Sequence, residues 1–326
     1  MVPILPGAPW LIAHRSMLGI NQPYKITLNG GDYVLWQNKQ GEVFALDNTC
    51  SHMQAPLSNG WICEARNSIT CPFHALEFDG QGRLLKDGVP KGEPVAKPLD
   101  LIIQGDLIWS YGGFERRLPV PDLIPQNTEN LDFIGVAGNK SIQASFLSCL
   151  KINYDFNHQS GTHRESFRIR ENPVHAFVEE GYYARVVQTF FREKNTFMDI
   201  LKNPALLSTP TTYKSDLEYT FPSTTMFQAQ VSFGEIPQFY ILYPETENRT
   251  KTFVLCYGKW KNALFKLPGL NALAQRALLQ ATEKVVEQDS RTLESLYSQQ
   301  KSKVRLSKEE ILTYVERLYY EWGSLS

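Results

Sequence analysis

The distribution of apolar and polar residues along the chain predicts two regions with different secondary structure. In the first region, the apolar runs YVLWQ and VFALD flank the polar stretch NKQGE, which predicts a β-hairpin, and ALEFDGQGRLLK predicts another. In the second region, YYARVVQTFF, TMFQAQVSF and QFYILYPETENRTKTFVLCYGKW predict strands, and residues 272–299 have the periodicity of a helix. Strands followed by a long helix, without regular βαβ alternation, predict an α+β fold.

A proline-containing segment between these regions predicts a linker. The stretch RRLPVPDLIPQNTEN has three prolines and no periodic apolar pattern. We therefore expect an N-terminal domain of residues 1–120 and a C-terminal domain of residues 121–326, a division that the chain length allows. No G-x-G-x-x-G sequence opens a helix after a strand, so neither domain is expected to bind a nicotinamide or flavin dinucleotide.

Charge and composition exclude several classes of partner. The net charge of -1 gives no indication of binding to nucleic acid or to an anionic membrane. The apolar runs are far shorter than the roughly 18 residues that a membrane span requires, and the start MVPILPGAPW lacks the basic region of a signal peptide. The cysteine count, five, is odd and argues against a disulfide framework. These features predict a reducing, cytoplasmic location.

Two cysteines and two histidines lie close together in CSHMQAPLSNGWICEARNSITCPFH, as the pairs Cys50-x-His52 and Cys71-x-x-His74. Two thiolates and two imidazoles could hold a structural zinc ion, but zinc ribbons and fingers favour two cysteines in each pair. One cysteine and one histidine in each pair suit a [2Fe-2S] cluster, with both thiolates on one iron and both imidazoles on the other. The pattern favours this cluster over zinc and over a site without metal. Cys63, between the pairs, is predicted to be a small apolar residue.

The stretch NYDFNHQSGTHRE predicts a second metal site. Asp155 and His158 are three residues apart, which would place them on one face of a helix. His163 follows five residues later, and Gly161 would let the chain turn so that both imidazoles meet one ion. The alternative is that each histidine is an ordinary core or surface residue.

Asp289 is a candidate for the carboxylate that a non-haem iron(II) site requires beside two histidines. The helix predicted at residues 272–299 would turn three other acids away from the face of Asp289 and leave them solvated: Glu283, Glu287 and Glu294. A buried carboxylate normally needs a cation, which could be a metal ion or the side chain of an Arg or Lys. The predicted helix places Asp289 on an apolar stripe with Leu278, Thr282, Val285, Val286, Leu293 and Leu296.

Taken together, the motifs C-x-H with C-x-x-H, D-x-x-H-x4-H and EQDSRTLESLYSQQ resemble those of Rieske non-haem iron oxygenase α subunits. The length is similar to that of the short homotrimeric members, such as dicamba and vanillate demethylases. The resemblance implies an N-terminal all-β Rieske [2Fe-2S] domain and a C-terminal catalytic domain with an antiparallel sheet and helices. It implies a cluster held by Cys50, His52, Cys71 and His74, and a mononuclear Fe(II) held by His158, His163 and Asp289.

The same resemblance implies an oxygenase that uses O2 and two externally supplied electrons to hydroxylate, demethylate or dihydroxylate a small organic substrate. An external ferredoxin or reductase would supply the electrons, which fits the missing nucleotide-binding motif. In a homotrimer of this family the cluster of one chain lies beside the iron of the next. The catalytic Asp155 would then link His74 of one chain to His158 of its neighbour. The alternative function is that of a Rieske electron-transfer or interaction protein with a non-catalytic second domain.

Overall fold

The backbone forms two compact units. A computed structural model of the chain describes residues 2–196, 210–230, 234–261, 268–297, 304 and 306–323. The first unit comprises Met1–Val120 and Tyr243–Glu247, and the second comprises Pro121–Leu242 and Asn248–Ser326. The main division therefore falls inside the proline-containing segment.

The described part of the first unit is built from short antiparallel strands in three sheets. The sheet orders are β1-β11-β10, β2-β3-β4 and β5-β6-β7-β8-β9. The strands are β1 (Trp10–His14), β2 (Tyr24–Leu28), β3 (Gly31–Gln37), β4 (Val43–Asp47), β5 (Trp61–Cys63), β6 (Ser68–Thr70), β7 (Glu77–Phe78), β8 (Leu84–Lys86), β9 (Val89–Lys91), β10 (Ile102–Gln104) and β11 (Leu107–Ser110).

Both predicted hairpins of this unit are confirmed. Strands β3 and β4 pair antiparallel, and β7 pairs with β8 through Phe78 and Leu84. Alternating side chains of these strands face a common apolar core, as expected for strands with one buried face. The sulfur-bearing side chains of Cys50 and Cys71 belong to this core, together with Val34, Trp36, Leu46, Leu57, Ile62, Ile69, Phe78 and Ala96.

Gly60 is required where the loop before β5 approaches β6. It ends a single 3-10 turn, Leu57–Asn59, and its N–H donates to the carbonyl of Leu57 at 2.9 Å. A Cβ atom on Gly60 would lie 1.8 Å from the carbonyl oxygen of Thr70. Any other residue would therefore push the loop away from the strand that leads directly into Cys71.

The described part of the second unit contains one antiparallel sheet of nine strands. Its main order is β12-β20-β19-β17-β16-β15-β13, with β14 paired to β15 and β18 paired to β20. The strands are β12 (Asp132–Ile142), β13 (Ile169–Glu171), β14 (Val174–Glu180), β15 (Tyr183–Arg192), β16 (Thr212–Thr220), β17 (Thr224–Ala229), β18 (Gly234–Glu235), β19 (Pro237–Thr246) and β20 (Arg249–Trp260).

Helices accompany this sheet, so the α+β prediction is confirmed. The strand predicted at YYARVVQTFF is β15, and the hairpin predicted around PETENRT is formed by β19 and β20. The predicted strand TMFQAQVSF matches β17, and its residues 231–233 lie outside the described residues. The helices are α1 (Leu123–Thr128), α2 (Phe146–Tyr154), α3 (His158–Gly161), α4 (Arg164–Phe167), α5 (Pro268–Glu294) and α6 (Glu310–Tyr320).

Two sequence predictions about helices were wrong in their details. The predicted linker is not irregular throughout, because α1 begins inside it. Pro125 lies in the first turn of α1, where proline is tolerated because the N–H groups have no partner within the helix. The helix predicted at 272–299 is α5, which begins at Pro268 and ends at Glu294. Leu296 lies beyond this end and is exposed rather than on a buried stripe.

The C-terminal helix α6 packs within the second unit and contacts α2. Its apolar face buries Ile311, Tyr314, Val315 and Leu318. The hydroxyl of Tyr314 donates to the main-chain oxygens of Gly181 and Tyr183, at 3.0 and 3.2 Å. No helix within the described ranges is both long enough and apolar enough to cross a bilayer.

Candidate metal centres

Cys50 and Cys71 each begin a tight loop, and the two loops share one pattern of hydrogen bonds. The N–H of each cysteine donates to the carbonyl five residues later, at 2.9 and 2.8 Å. The carbonyl of each cysteine accepts from the N–H four residues later, at 2.9 and 3.1 Å. That later residue, Gln54 or Ala75, has a left-handed φ of 60° or 54°. The two predicted ligand pairs therefore lie on two copies of one turn, after β4 and after β6.

These loops bring the four predicted cluster ligands together, with the cysteines inside and the histidines outside. The residues Cys50 and Cys71 are each 1% exposed, whereas His52 and His74 are exposed. The imidazole rings lie edge to face with their centroids 4.8 Å apart. Burial raises the pKa of the Cys50 thiol, the backbone N–H groups of His52 and Met53 lower it, and the neighbouring Cys71 thiol raises it further.

The two buried cysteine sulfurs are adjacent, have backbone N–H donors nearby and face two imidazoles. This arrangement fits a [2Fe-2S] cluster with mixed ligands, whose sulfurs commonly accept hydrogen bonds.

Cys63 lies in β5, half-buried, and pairs with Ser68 of β6 in the strand register. None of the five cysteines forms a disulfide.

Large apolar side chains are exposed in and next to the histidine-bearing loops. We call Met53, Trp61 and Phe73 the histidine-side patch, since they are 58%, 51% and 58% exposed and neighbour the ligand loops in the sequence. The ring centroid of Phe73 is 4.1 Å from that of His74. Large exposed apolar side chains grouped beside a site are typical of protein interfaces. In a single chain this patch faces solvent.

The structure corrects the predicted relation between Asp155 and His158. Helix α2 ends at Tyr154, Asp155 is extended, and a new short helix begins at His158. The Asp155 carboxylate accepts from the N–H of Asn157 at 2.8 Å, a local bond that competes with helix formation. The two residues therefore do not share a helical face. Gly161 lies inside α3 with open space around it, so the turn between the histidines does not depend on glycine.

His158, His163 and Asp289 converge although they come from three different helical segments. His158 begins α3, His163 directly precedes α4, and Asp289 lies on α5. Oδ1 of Asp289 lies 3.1 Å from Nε2 of His163 and 3.8 Å from Nε2 of His158. One ligand atom from each residue lies within 4.8 Å of the other two. Two imidazoles and one carboxylate in this arrangement are the donor set of a non-haem iron(II) site.

The second nitrogen of each imidazole is held by a hydrogen-bond acceptor. Nδ1 of His158 contacts the main-chain oxygen of Asp155, not its carboxylate. Nδ1 of His163 lies 2.9 Å from Oε1 of Gln288. Acceptors at both Nδ1 positions favour the tautomer whose Nε2 is free to bind a metal. Sequence reasoning missed Gln288, although it directly precedes Asp289.

Burial and the Asp289 carboxylate act in opposite directions on the pKa values of the two histidines. Burial lowers the pKa of His158, which favours a neutral imidazole. Burial acts in the same direction at His163, but the Asp289 carboxylate outweighs it and raises the pKa. Oδ1 of Asp289 is buried and accepts no hydrogen bond within the described chain. Its ion-pair partners among the described residues are the two histidines, so the alternative salt bridge to an Arg or Lys is not found there.

The acidic neighbours of Asp289 are solvent-accessible, as predicted: Glu283 and Glu294 are exposed and Glu287 is half-buried, but all three also form hydrogen bonds outside α5. Two of them bind β12, the third binds the residue that follows it, and Glu287 also pairs with Arg291 on its own helix at 2.8 Å. The strand register shifts between Ala137 and Lys140, which leaves main-chain N–H groups available to the helix. In β12, the N–H of Gly138 donates to Glu283 at 2.5 Å and Nζ of Lys140 donates to Glu287 at 2.6 Å. Just after β12, the N–H of Gln143 donates to Glu294 at 3.0 Å.

A small apolar cavity lies beside Asp289. Its volume is about 20 Å³, and one water molecule requires roughly 10–15 Å³. The cavity is therefore large enough for one water molecule. The lining residues are Ile142, Cys149, Ile152, Asn153, Tyr240, Leu242, Thr252, Val286, Asp289 and Leu293.

Comparison with known families identifies the first of these centres. Residues 9–98 match the family model of the Rieske [2Fe-2S] domain, and the four predicted cluster ligands lie within that range. The chain carries a Rieske domain. A domain of this family binds a [2Fe-2S] cluster, so the expectation of this cofactor is confirmed.

Similar proteins support the resemblance of the Rieske-domain chain to oxygenase α subunits. Aminopyrrolnitrin oxygenase PrnD of Pseudomonas fluorescens is 26% identical over 170 residues, which cover 48% of this chain and 46% of that protein. Dicamba monooxygenase bound to dicamba has the same fold, with a TM-score of 0.77, 18% identity and 99% of each chain covered. Its structure with non-heme iron and dicamba gives a TM-score of 0.68, at 18% identity, with 99% and 98% covered. The matches to curated relatives span less than half the length of those relatives.

Proposed function

We propose that this protein is a Rieske non-haem iron oxygenase that uses O2 and two electrons from an external ferredoxin or reductase. It would hydroxylate, demethylate or dihydroxylate a small organic substrate. One observation carries the proposal: His158 and His163 converge on the carboxylate of Asp289. Oδ1 of that carboxylate is buried and accepts no hydrogen bond within the described residues. A Rieske electron-transfer protein would have no need for such a donor set. The proposed location is the cytoplasm, as the odd number of cysteines predicted.

In this proposal the cluster is held by Cys50, His52, Cys71 and His74, and the mononuclear iron by His158, His163 and Asp289. When bound, iron(II) with two imidazoles and one carboxylate keeps positions open for O2 and supplies the oxidation chemistry. The chain supplies the surroundings. The main-chain oxygen of Asp155 holds the Nδ1 proton of His158.

We further propose that the protein acts as a homotrimer in which the cluster of each chain serves the iron of its neighbour. The exposed histidine-side patch offers an apolar contact surface at the end of the cluster from which electrons would leave. One carboxylate oxygen of Asp155 accepts from Asn157. Its other oxygen accepts no hydrogen bond within the described part of the chain and could receive His74 of a neighbouring chain.

A direct test combines metal analysis with turnover. Protein reconstituted anaerobically with iron and sulfide should contain about three irons per chain, two in the cluster and one in the mononuclear site. With a surrogate reductase and a panel of methoxylated or N-methylated aromatic compounds, at least one compound should stimulate O2 uptake and give an oxidised product. Two irons per chain, with no bound metal lost on Asp289→Ala, would instead support the electron-transfer protein.

Asp155→Asn is expected to slow electron transfer between chains without removing either metal centre. The contact to His158 uses the main-chain oxygen of Asp155, which the substitution keeps, whereas the negative charge offered to a neighbouring histidine is lost. Rapid mixing of the reduced protein with substrate and O2 should show cluster oxidation slowed by about tenfold or more. Wild-type oxidation rates in the variant, or full activity of a monomer, would rule out this route.

A further inference from the structure

We infer that Gln288 is a positioning residue that holds His163 in the tautomer able to bind metal. The inference rests on the proposed mononuclear metal site and concerns how the protein prepares one of its ligands. Its starting point is a single side-chain oxygen that accepts two hydrogen bonds beside the site.

Oε1 of Gln288 lies 2.9 Å from Nδ1 of His163 and 3.0 Å from Oγ of Ser166. An amide oxygen has two lone pairs, and these two donors use both. His163 is 1% exposed and Ser166 is 2% exposed, so the arrangement is shielded from water. The N–H of Ser166 also donates to the carbonyl of His163 at 3.0 Å. The amide, the imidazole and the first turn of α4 therefore form one buried unit.

The position of the imidazole proton decides whether His163 can be a ligand. A neutral imidazole has one N–H, and when that proton is on Nδ1, the lone pair of Nε2 is available. Nε2 faces Oδ1 of Asp289 at 3.1 Å. Without an acceptor at Nδ1, the proton can move to Nε2 and be held by the Asp289 carboxylate. A metal ion would then have to displace that proton before it could bind.

The two histidines differ in how this control is exerted. The acceptor for His158 is a main-chain oxygen, which no side-chain substitution removes. The acceptor for His163 is a side chain, and it is the sequence neighbour of Asp289. Helix α5 therefore provides one metal ligand and also orients a second ligand that lies on a different segment. Loss of such an orienting partner typically weakens metal binding by about 10–100-fold.

The test uses three variants of the full-length protein with its oxidised cluster in place. Gln288→Met keeps the approximate size but removes the acceptor, and Gln288→Glu supplies a carboxylate that can only accept. Gln280→Met makes the first change at an exposed position of the same helix. Binding of Co(II) to protein freed of mononuclear iron would be measured by equilibrium dialysis, and the low-temperature Co(II) EPR signal would report the ligand set. Thermal midpoints of the metal-free proteins would report folding.

We expect Gln288→Met to weaken Co(II) binding by about 10–100-fold and to alter the EPR signal, with the thermal midpoint little changed. Gln288→Glu should bind within about threefold of the wild type or more tightly, because a charged acceptor fixes the Nδ1 proton at least as well. Gln280→Met should match the wild type. Equal affinity and an unchanged signal in Gln288→Met would overturn the inference, as would a Glu variant as weak as the Met variant. If Asp289→Ala leaves Co(II) binding unchanged, the proposed metal site itself falls, and the inference with it.

Discussion

Asp289→Ala should remove the mononuclear metal and abolish substrate oxidation while leaving the cluster intact. The substitution takes away the only carboxylate among the described residues whose oxygen faces both His158 and His163. The proposed cluster ligands lie in separate loops of the first unit, so the visible absorption and the EPR signal of the cluster should persist. Iron analysis should fall from about three to about two atoms per chain.

The matched control for this experiment is Arg291→Ala. Arg291 is 76% exposed in its side chain, lies two residues after Asp289 and pairs with Glu287 at the surface. Exposed pairs contribute about 0–1 kcal/mol to the free energy of unfolding, so this variant should keep its metal and its turnover. Glu287 is a poorer control, because it also bonds Lys140 of β12. Equal loss of metal in both variants would show that the helix as a whole, not the carboxylate, was disturbed.

Cys71→Ser should remove the cluster and with it the brown colour of the protein. A thiolate is a far better ligand for iron than an alcohol, and Cys71 lies fully inside the core beside Cys50. The wild-type protein, purified anaerobically and reduced, should give a rhombic EPR signal, because thiolate and imidazole ligation makes the two irons inequivalent. That signal should be absent from the variant.

Cys63→Ser provides the comparison, since it makes the same substitution at a half-buried cysteine of β5 between the two ligand loops. We expect this variant to keep both the colour and the EPR signal. A colourless wild-type protein with one zinc ion per chain would contradict the assignment of the cluster.

Sequence patterns located the candidate ligands because their spacing is a local property. The pairs Cys50-x-His52 and Cys71-x-x-His74 can be recognised from a few consecutive residues. The apolar stripe that contains Asp289 can be recognised from helical periodicity alone. The hairpins were found for the same reason, since each joins strands that are close in the sequence. Local patterns were less reliable at helix ends. Helical spacing predicted a shared face for Asp155 and His158, but α2 ends at Tyr154 and the N–H of Asn157 donates to the Asp155 carboxylate.

Contacts between distant segments could not be found in this way. Gln288 meets His163 across 125 residues, and Glu283 meets Gly138 across 145. Hydrogen bonds of exposed helix glutamates to a distant strand cannot be inferred until the position of that strand is known. Likewise, the identical hydrogen bonds of the two cluster loops depend on left-handed residues at Gln54 and Ala75, neither of which is a glycine that would have marked the turn.

The three glutamate contacts have a consequence for which sequence changes β12 can accept. Two of the three contacts use main-chain N–H groups, those of Gly138 and Gln143, which do not depend on neighbouring side chains. Substitutions of other side chains in this segment, such as that of the exposed Asn139, should therefore be tolerated. A change of length is different, because one residue more or less in a strand moves its end by about 3.3 Å. Metal-ligand distances tolerate only about 0.2 Å. We therefore expect insertions and deletions between Gly138 and Gln143 to be selected against, even though single substitutions are permitted. Their first measurable effect should be loss of the metal bound by Asp289.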